Sequence, residues 1–176
     1  AARASMEATR LGVAMFNVHA SGSSEMMRQA VAAVDRVCRT EKIRRPHLLA
    51  VTVLTSLSAG DLATIGVSSK VEDQVVRLAS LAEEAGMDGV VASPLEIQAI
   101  RKVCSPRFLV VTPGIRASDD DKGDQVRVTA AADAVSMGAD YIVVGRPIRD
   151  AADPVAAADD IVAQLANSPG SVPDGA

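Results

Sequence analysis

The sequence predicts an α/β protein built on a parallel sheet, and three observations carry that reading. A helix-to-strand junction recurs at Leu11-Gly12-Val13-Ala14-Met15-Phe16, Ala85-Gly86-Met87-Asp88-Gly89-Val90-Val91 and Met137-Gly138-Ala139-Asp140-Tyr141-Ile142-Val143-Val144. Short β-branched runs follow the junctions, as expected of strands buried on both faces. Amphipathic segments lie between the runs, which is the alternation of βα units.

Each element follows from a local signal. In every junction the glycine closes a helix, because it can take the left-handed conformation that ends one. A first helix therefore occupies residues 1–11 and stops at Gly12. Strands are expected at residues 14–18, 48–53, 89–92, 108–112 and 141–144. The helix over residues 24–39 starts from serine caps and carries Met26, Met27, Ala30, Val31, Val34 and Val37 at helical spacing. Residues 71–85 place Val75, Leu78, Leu81 and Ala82 on one face, and further helices are read at about 94–103, 128–137 and 154–165. Residues 1–166 are read as one domain and 167–176, rich in Gly, Pro and Ser, as a loose tail.

The chain has 176 residues, of which 48% are apolar and 23% charged, the balance of an ordinary globular domain. Apolar runs of only a few residues, such as Phe108 to Val111, are far too short to span a bilayer. A net charge of -4 and an aromatic content of 2% supply neither a phosphate-tracking basic face nor a stacking platform, so no nucleic acid partner is expected. Cys38 and Cys104 stand in unrelated segments without metal-ligand spacing, which predicts buried thiols in a reducing, cytoplasmic setting. No signal segment is read at the N-terminus.

In parallel βα folds, ligands meet the loops at the C-terminal ends of the strands. Two such loops pair a glycine with an arginine: Val111-Thr112-Pro113-Gly114-Ile115-Arg116 and Val144-Gly145-Arg146-Pro147-Ile148. Either alone fits a solvated turn. Together, at the last two strand ends, they favour a phosphate ligand, since arginine offers a permanently charged fork of donors. Asp119-Asp120-Asp121-Lys122 is read as a solvated loop, because three consecutive acids cannot all face one ion, and His19 as a structural hydrogen-bonder. No metal site is expected. Five strands with interleaved helices fit either an open sheet or part of a barrel, and a complete (β/α)₈ barrel needs about 250 residues.

The runs Phe16-Asn17-Val18-His19-Ala20-Ser21-Gly22, Leu49-Ala50-Val51-Thr52-Val53-Leu54-Thr55-Ser56, Val111-Thr112-Pro113-Gly114-Ile115-Arg116 and Val144-Gly145-Arg146-Pro147-Ile148 resemble the fourth, fifth, seventh and eighth strands of bacterial orotidine 5'-monophosphate decarboxylases. They occur in order over residues 1–165. The resemblance implies a partial (β/α)₈ TIM barrel, strands four to eight with their helices, and a homodimer with shared active sites. It also implies a small-molecule substrate, orotidine 5'-monophosphate, converted to UMP and CO₂ in pyrimidine biosynthesis without a metal or organic cofactor. By the same resemblance Arg116, Gly145 and Arg146 meet the phosphate, Gln125 reaches phosphate and base, Thr55 contacts the nucleotide and Pro113 packs the pyrimidine.

Catalysis in that family uses an alternating Asp-Lys-Asp-Lys array with an Asp-x-Lys-x-x-Asp motif on the first three strands, which stresses the substrate carboxylate and protonates C6. No such motif occurs here, and Lys42, Lys70, Lys102 and Lys122 all fall away from the expected strand ends. The expectation is a chain with the nucleotide grip and no catalytic residue, inactive alone. A non-catalytic assembly module and a sugar-phosphate lyase of the same superfamily, such as hexulose-phosphate synthase, are the alternative readings.

Overall fold

The structure is a computed structural model that describes residues 1–115 and 129–166. Five strands, β1 (Met15–His19), β2 (His47–Val51), β3 (Gly89–Val91), β4 (Leu109–Thr112) and β5 (Tyr141–Ile142), pair in parallel in the order β1-β2-β3-β4-β5. The order never reverses. A doubly wound sheet would switch direction at one point and carry helices on both faces.

The helices are α1 (Ala2–Arg10), α2 (Ser24–Glu41), α3 (Ala59–Thr64), α4 (Val71–Glu84), α5 (Ile97–Val103), α6 (Ala131–Ser136), α7 (Arg146–Arg149) and α8 (Pro154–Ala166). Because strand side chains alternate, Leu48, Ala50, Val90 and Val110 share one face and pack with Met27, Val34, Val75, Leu78, Ile97 and Ile100 of the helices. Side chains of this kind contribute about 1.5–3 kcal/mol each when fully buried. Leu49, Val51 and Val111 are buried on the opposite face, outside that cluster.

All three predicted junction glycines are left-handed, Gly12 at φ 73°, Gly86 at 84° and Gly138 at 107°. The aspartates of the second and third junctions have a shared task. Asp88 donates its amide to the Leu48 carbonyl at 2.9 Å and accepts the Leu48 amide on its side chain at 2.7 Å. Asp140 does the same to Val110, at 2.9 and 2.6 Å. Each carboxylate is also gripped by an arginine, Arg45 on Asp88 and Arg101 on Asp140. The starts of β2 and β4 are thereby tied to the junctions that lead into β3 and β5.

Several boundaries differ from expectation. β2 ends at Val51 rather than 53, because the chain turns after Thr52, whose amide and hydroxyl both bond the Val91 carbonyl. β5 pairs over Tyr141–Ile142 alone, although the Val143 amide still donates to Thr112 at 2.9 Å. The 94–103 segment opens as a 3₁₀ turn, Pro94–Glu96, with Pro94 at its start and the Ser93 hydroxyl accepting from the Leu95 amide. α6 begins at Ala131, so most of the expected 128–137 helix is present; residue 128 and the tail 167–176 lie outside the described residues. α3, held by a capping box between Ser58 and Asp61, and α7 have no counterpart in the sequence reading. Cys104 is buried and Cys38 half-buried, both as free thiols. Among the described residues, no helix is long and apolar enough to cross a membrane.

Candidate functional site

The C-terminal ends of β4 and β5 build one cavity. After Thr112 the chain turns through Pro113 and Gly114, where φ is 82° and only glycine fits without strain. The Gly114 carbonyl accepts the Thr129 amide at 3.3 Å, and Ile115 bridges Thr129 in the parallel sense, which sets Thr129 beside the turn that follows β4. After β5, Gly145 caps α7 through its carbonyl, which accepts the amides of Ile148 and Arg149 at 3.1 and 3.0 Å. A Cβ on Gly145 would meet nothing within 4 Å, so the backbone there faces open space.

Between these turns lies a cavity of about 210 Å³ lined by Pro113, Gly114, Gly145, Arg146, Pro147 and Arg149, among others. Three of the residues expected from sequence, Pro113, Gly145 and Arg146, therefore share one space. Thr55 is not among its lining residues; it sits half-buried in the turn after β2, where the Leu57 amide donates to the Leu54 carbonyl. Arg116 and Gln125, and the Asp119-Asp120-Asp121-Lys122 run, lie outside the described residues.

Arg149 was not singled out by the sequence. It reaches the cavity because residues 146–149 form a helical turn that sets it one turn from Arg146, and the three-residue spacing of the two arginines was the only signal of it. Its guanidinium donates to both carboxylate oxygens of Asp150 at 2.6 and 2.7 Å, which raises its pKa above the ordinary arginine value.

His19 ends β1 exposed, and its side chain makes no hydrogen bond among the described residues, so the expected structural bonding is not found. It lines a separate cavity of about 150 Å³ with Thr52, Leu54 and Gln74, at the ends of β1 and β2. Another cavity, of about 280 Å³, lies at the opposite ends of the strands among His47, Glu83, Asp88 and Arg107. Its acids are already engaged. Asp88 holds Arg45 and Leu48; burial opposes ionisation of Glu83, but hydrogen bonds from Ser105 and Cys104 hold it below the usual carboxylate range. Among the described residues no group of three His, Cys, Asp or Glu is placed to hold a metal ion.

The lysines follow the same division. Lys42 caps α2 in a left-handed conformation at φ 55°, Lys70 precedes α4 and Lys102 lies within α5. None of these three stands at the C-terminal end of a strand. Lys122 is outside the described residues.

The family model described as orotidine 5'-phosphate decarboxylase / HUMPS family matches residues 1–161. An orotidine 5'-phosphate decarboxylase of Pelobacter propionicus is 54% identical over 164 residues, covering 93% of this chain and 67% of its own length. That of Geobacter sulfurreducens is 51% identical, over 93% of this chain and 68% of its own length. The crystal structure of the orotidine 5'-phosphate decarboxylase from Lactobacillus acidophilus superposes with a TM-score of 0.80 at 34% identity, over 93% of this chain and 68% of that one. The corresponding enzyme from Pyrococcus horikoshii gives 0.66 at 25% identity, over 94% of this chain and 67% of that one. The chain thus spans about two thirds of the relatives it matches, and it belongs to the orotidine 5'-phosphate decarboxylase / HUMPS family.

Proposed function

We propose that this chain is the nucleotide- and phosphate-binding part of an orotidine 5'-monophosphate decarboxylase of pyrimidine biosynthesis, and that it does not decarboxylate by itself. The observation that carries the reading is the convergence of Pro113, Gly145 and Arg146 on one cavity at the ends of the last two strands. A guanidinium beside open backbone suits a phosphate dianion, and the adjacent proline offers an apolar surface for a flat ring. Arg116, Gln125 and Thr55 complete the grip in this reading.

Inactivity follows from chemistry. Expelling CO₂ leaves a carbanion that must be protonated, and the described strand ends hold no lysine to do it. The unreversed strand order supports a partial (β/α)₈ barrel, with residues 1–166 as its domain and 167–176 as a tail. The partner is a small molecule, the setting cytoplasmic and the assembly a homodimer or a larger self-association. Orotidine 5'-monophosphate turnover and uridine 5'-monophosphate binding, measured on the same preparation, test the reading. Binding without turnover is expected; turnover, or no nucleotide binding, would contradict it.

A further inference from the structure

We propose that Arg149 is a second phosphate-binding guanidinium of the β4–β5 cavity, held by Asp150 until an anion arrives; the proposal rests on the phosphate reading above. Arg146 and Arg149 occupy one helical turn, three residues apart, so their side chains leave α7 on neighbouring positions. Both line the same cavity of about 210 Å³. Two cations so placed repel each other unless an anion is shared or one is neutralised.

Asp150 neutralises Arg149. The pair is bidentate, Nε to Oδ1 at 2.6 Å and Nη2 to Oδ2 at 2.7 Å, and it leaves Nη1 with no protein acceptor among the described residues. It is also wet: the side chains are 72% and 53% exposed. An ion pair in water holds its partners weakly, so exchanging Asp150 for another anion costs little. A phosphate carries nearly two negative charges against the one of a carboxylate, and once seated against Arg146 it presents further oxygens to the same turn. Arg149 then swings from its neighbour to the ligand. The residue would add affinity for the phosphorylated ligand and none for the nucleoside.

Calorimetric titration of uridine 5'-monophosphate and of uridine into the intact chain and its Arg149→Ala, Asp150→Asn, double and Arg146→Ala variants decides the matter. For exposed charges, Arg149→Ala is expected to weaken the nucleotide roughly 3- to 10-fold and Asp150→Asn to tighten it about 2- to 3-fold. In the Arg149→Ala background, Asp150→Asn should tighten the nucleotide less than it does in the intact chain, because part of the effect of the carboxylate is to occupy Arg149. Uridine affinity should not move. Unchanged nucleotide affinity in Arg149→Ala overturns the proposal, as does equal tightening by Asp150→Asn without Arg149, which would reveal long-range charge alone. If Arg146→Ala weakens the nucleotide while Arg149→Ala does not, the phosphate reading stands and this one falls. If neither substitution matters, or the intact chain binds no nucleotide, both fall.

Discussion

Replacing Asp140 by alanine should destabilise the fold by about 2–4 kcal/mol. The Asp140 carboxylate accepts the Val110 amide at 2.6 Å, and Val110 is fully buried in the sheet. Removing it strands that N–H, at a cost of about 1–3 kcal/mol. The same carboxylate pairs with Arg101, whose guanidinium also donates to the Gly138 carbonyl at 2.7 Å and the Phe108 carbonyl at 2.6 Å. With a third of the aspartate side chain exposed, loss of that pair adds only about 1 kcal/mol, near the upper end for ion pairs open to solvent. An asparagine amide in its place would keep one acceptor oxygen, so Asp140→Asn should lose about half as much. Asp88→Ala, which breaks the matching clamp on Leu48 and Arg45, should cost a similar amount to Asp140→Ala. Urea unfolding followed by circular dichroism measures all three, read as a lower midpoint at constant slope. A loss below about 0.5 kcal/mol for Asp140→Ala, the size of an ordinary surface substitution, would refute the pinning role.

Gly89→Ala should be poorly tolerated, since its Cβ would stand 2.3 Å from the Leu109 carbonyl oxygen and force β3 and β4 apart; native yield and thermal midpoint should both fall, and unchanged values would contradict the packing. Self-association is expected because, among the described residues, β1 and β5 each pair on one side only and leave backbone groups open, so sedimentation should detect dimers or larger species and a stable monomer would count against it. The Cys104 thiol is pushed up to about 11, first by burial and then by Glu83. Its folded pKa lies above the unfolded value, so the stability it favours is present below about 9 and is lost as pH rises towards about 11, a change on the order of 2 kcal/mol. Flat stability across that interval, or fast alkylation of Cys104 in the native state at neutral pH, would contradict its burial.

The alternation of helices and strands was legible because it rests on local signals: glycine after each helix, and apolar residues at periods of two and 3.6. Strand ends were less legible. Residues 143–144 have the β-branched composition of a strand, but pairing with β4 is finished at Ile142, and only tertiary geometry decides that. The aspartate of the Gly-x-Asp junction was visible as a repeat, while its bond to the neighbouring strand's amide required the sheet register. At the site, Arg146 could be found from glycine-arginine pairing at a strand end. Arg149 was much harder to see, because a four-residue helical turn beginning Arg-Pro leaves no amphipathic pattern to read. Thr55 entered through family resemblance alone, and it stands apart from the cavity that gathers Pro113, Gly145 and Arg146.

The central claim, that the β4–β5 cavity takes a nucleotide by its phosphate, rests most directly on Arg146. A charge-assisted hydrogen bond from this guanidinium contributes roughly 1.5–3 kcal/mol, so Arg146→Ala should weaken uridine 5'-monophosphate by about one to two powers of ten. Uridine, which lacks the phosphate, should bind both proteins equally. Calorimetric titration of the two ligands into the two proteins yields the comparison, and equal nucleotide affinity before and after the substitution would remove Arg146 from the site, and with it the phosphate reading of the cavity.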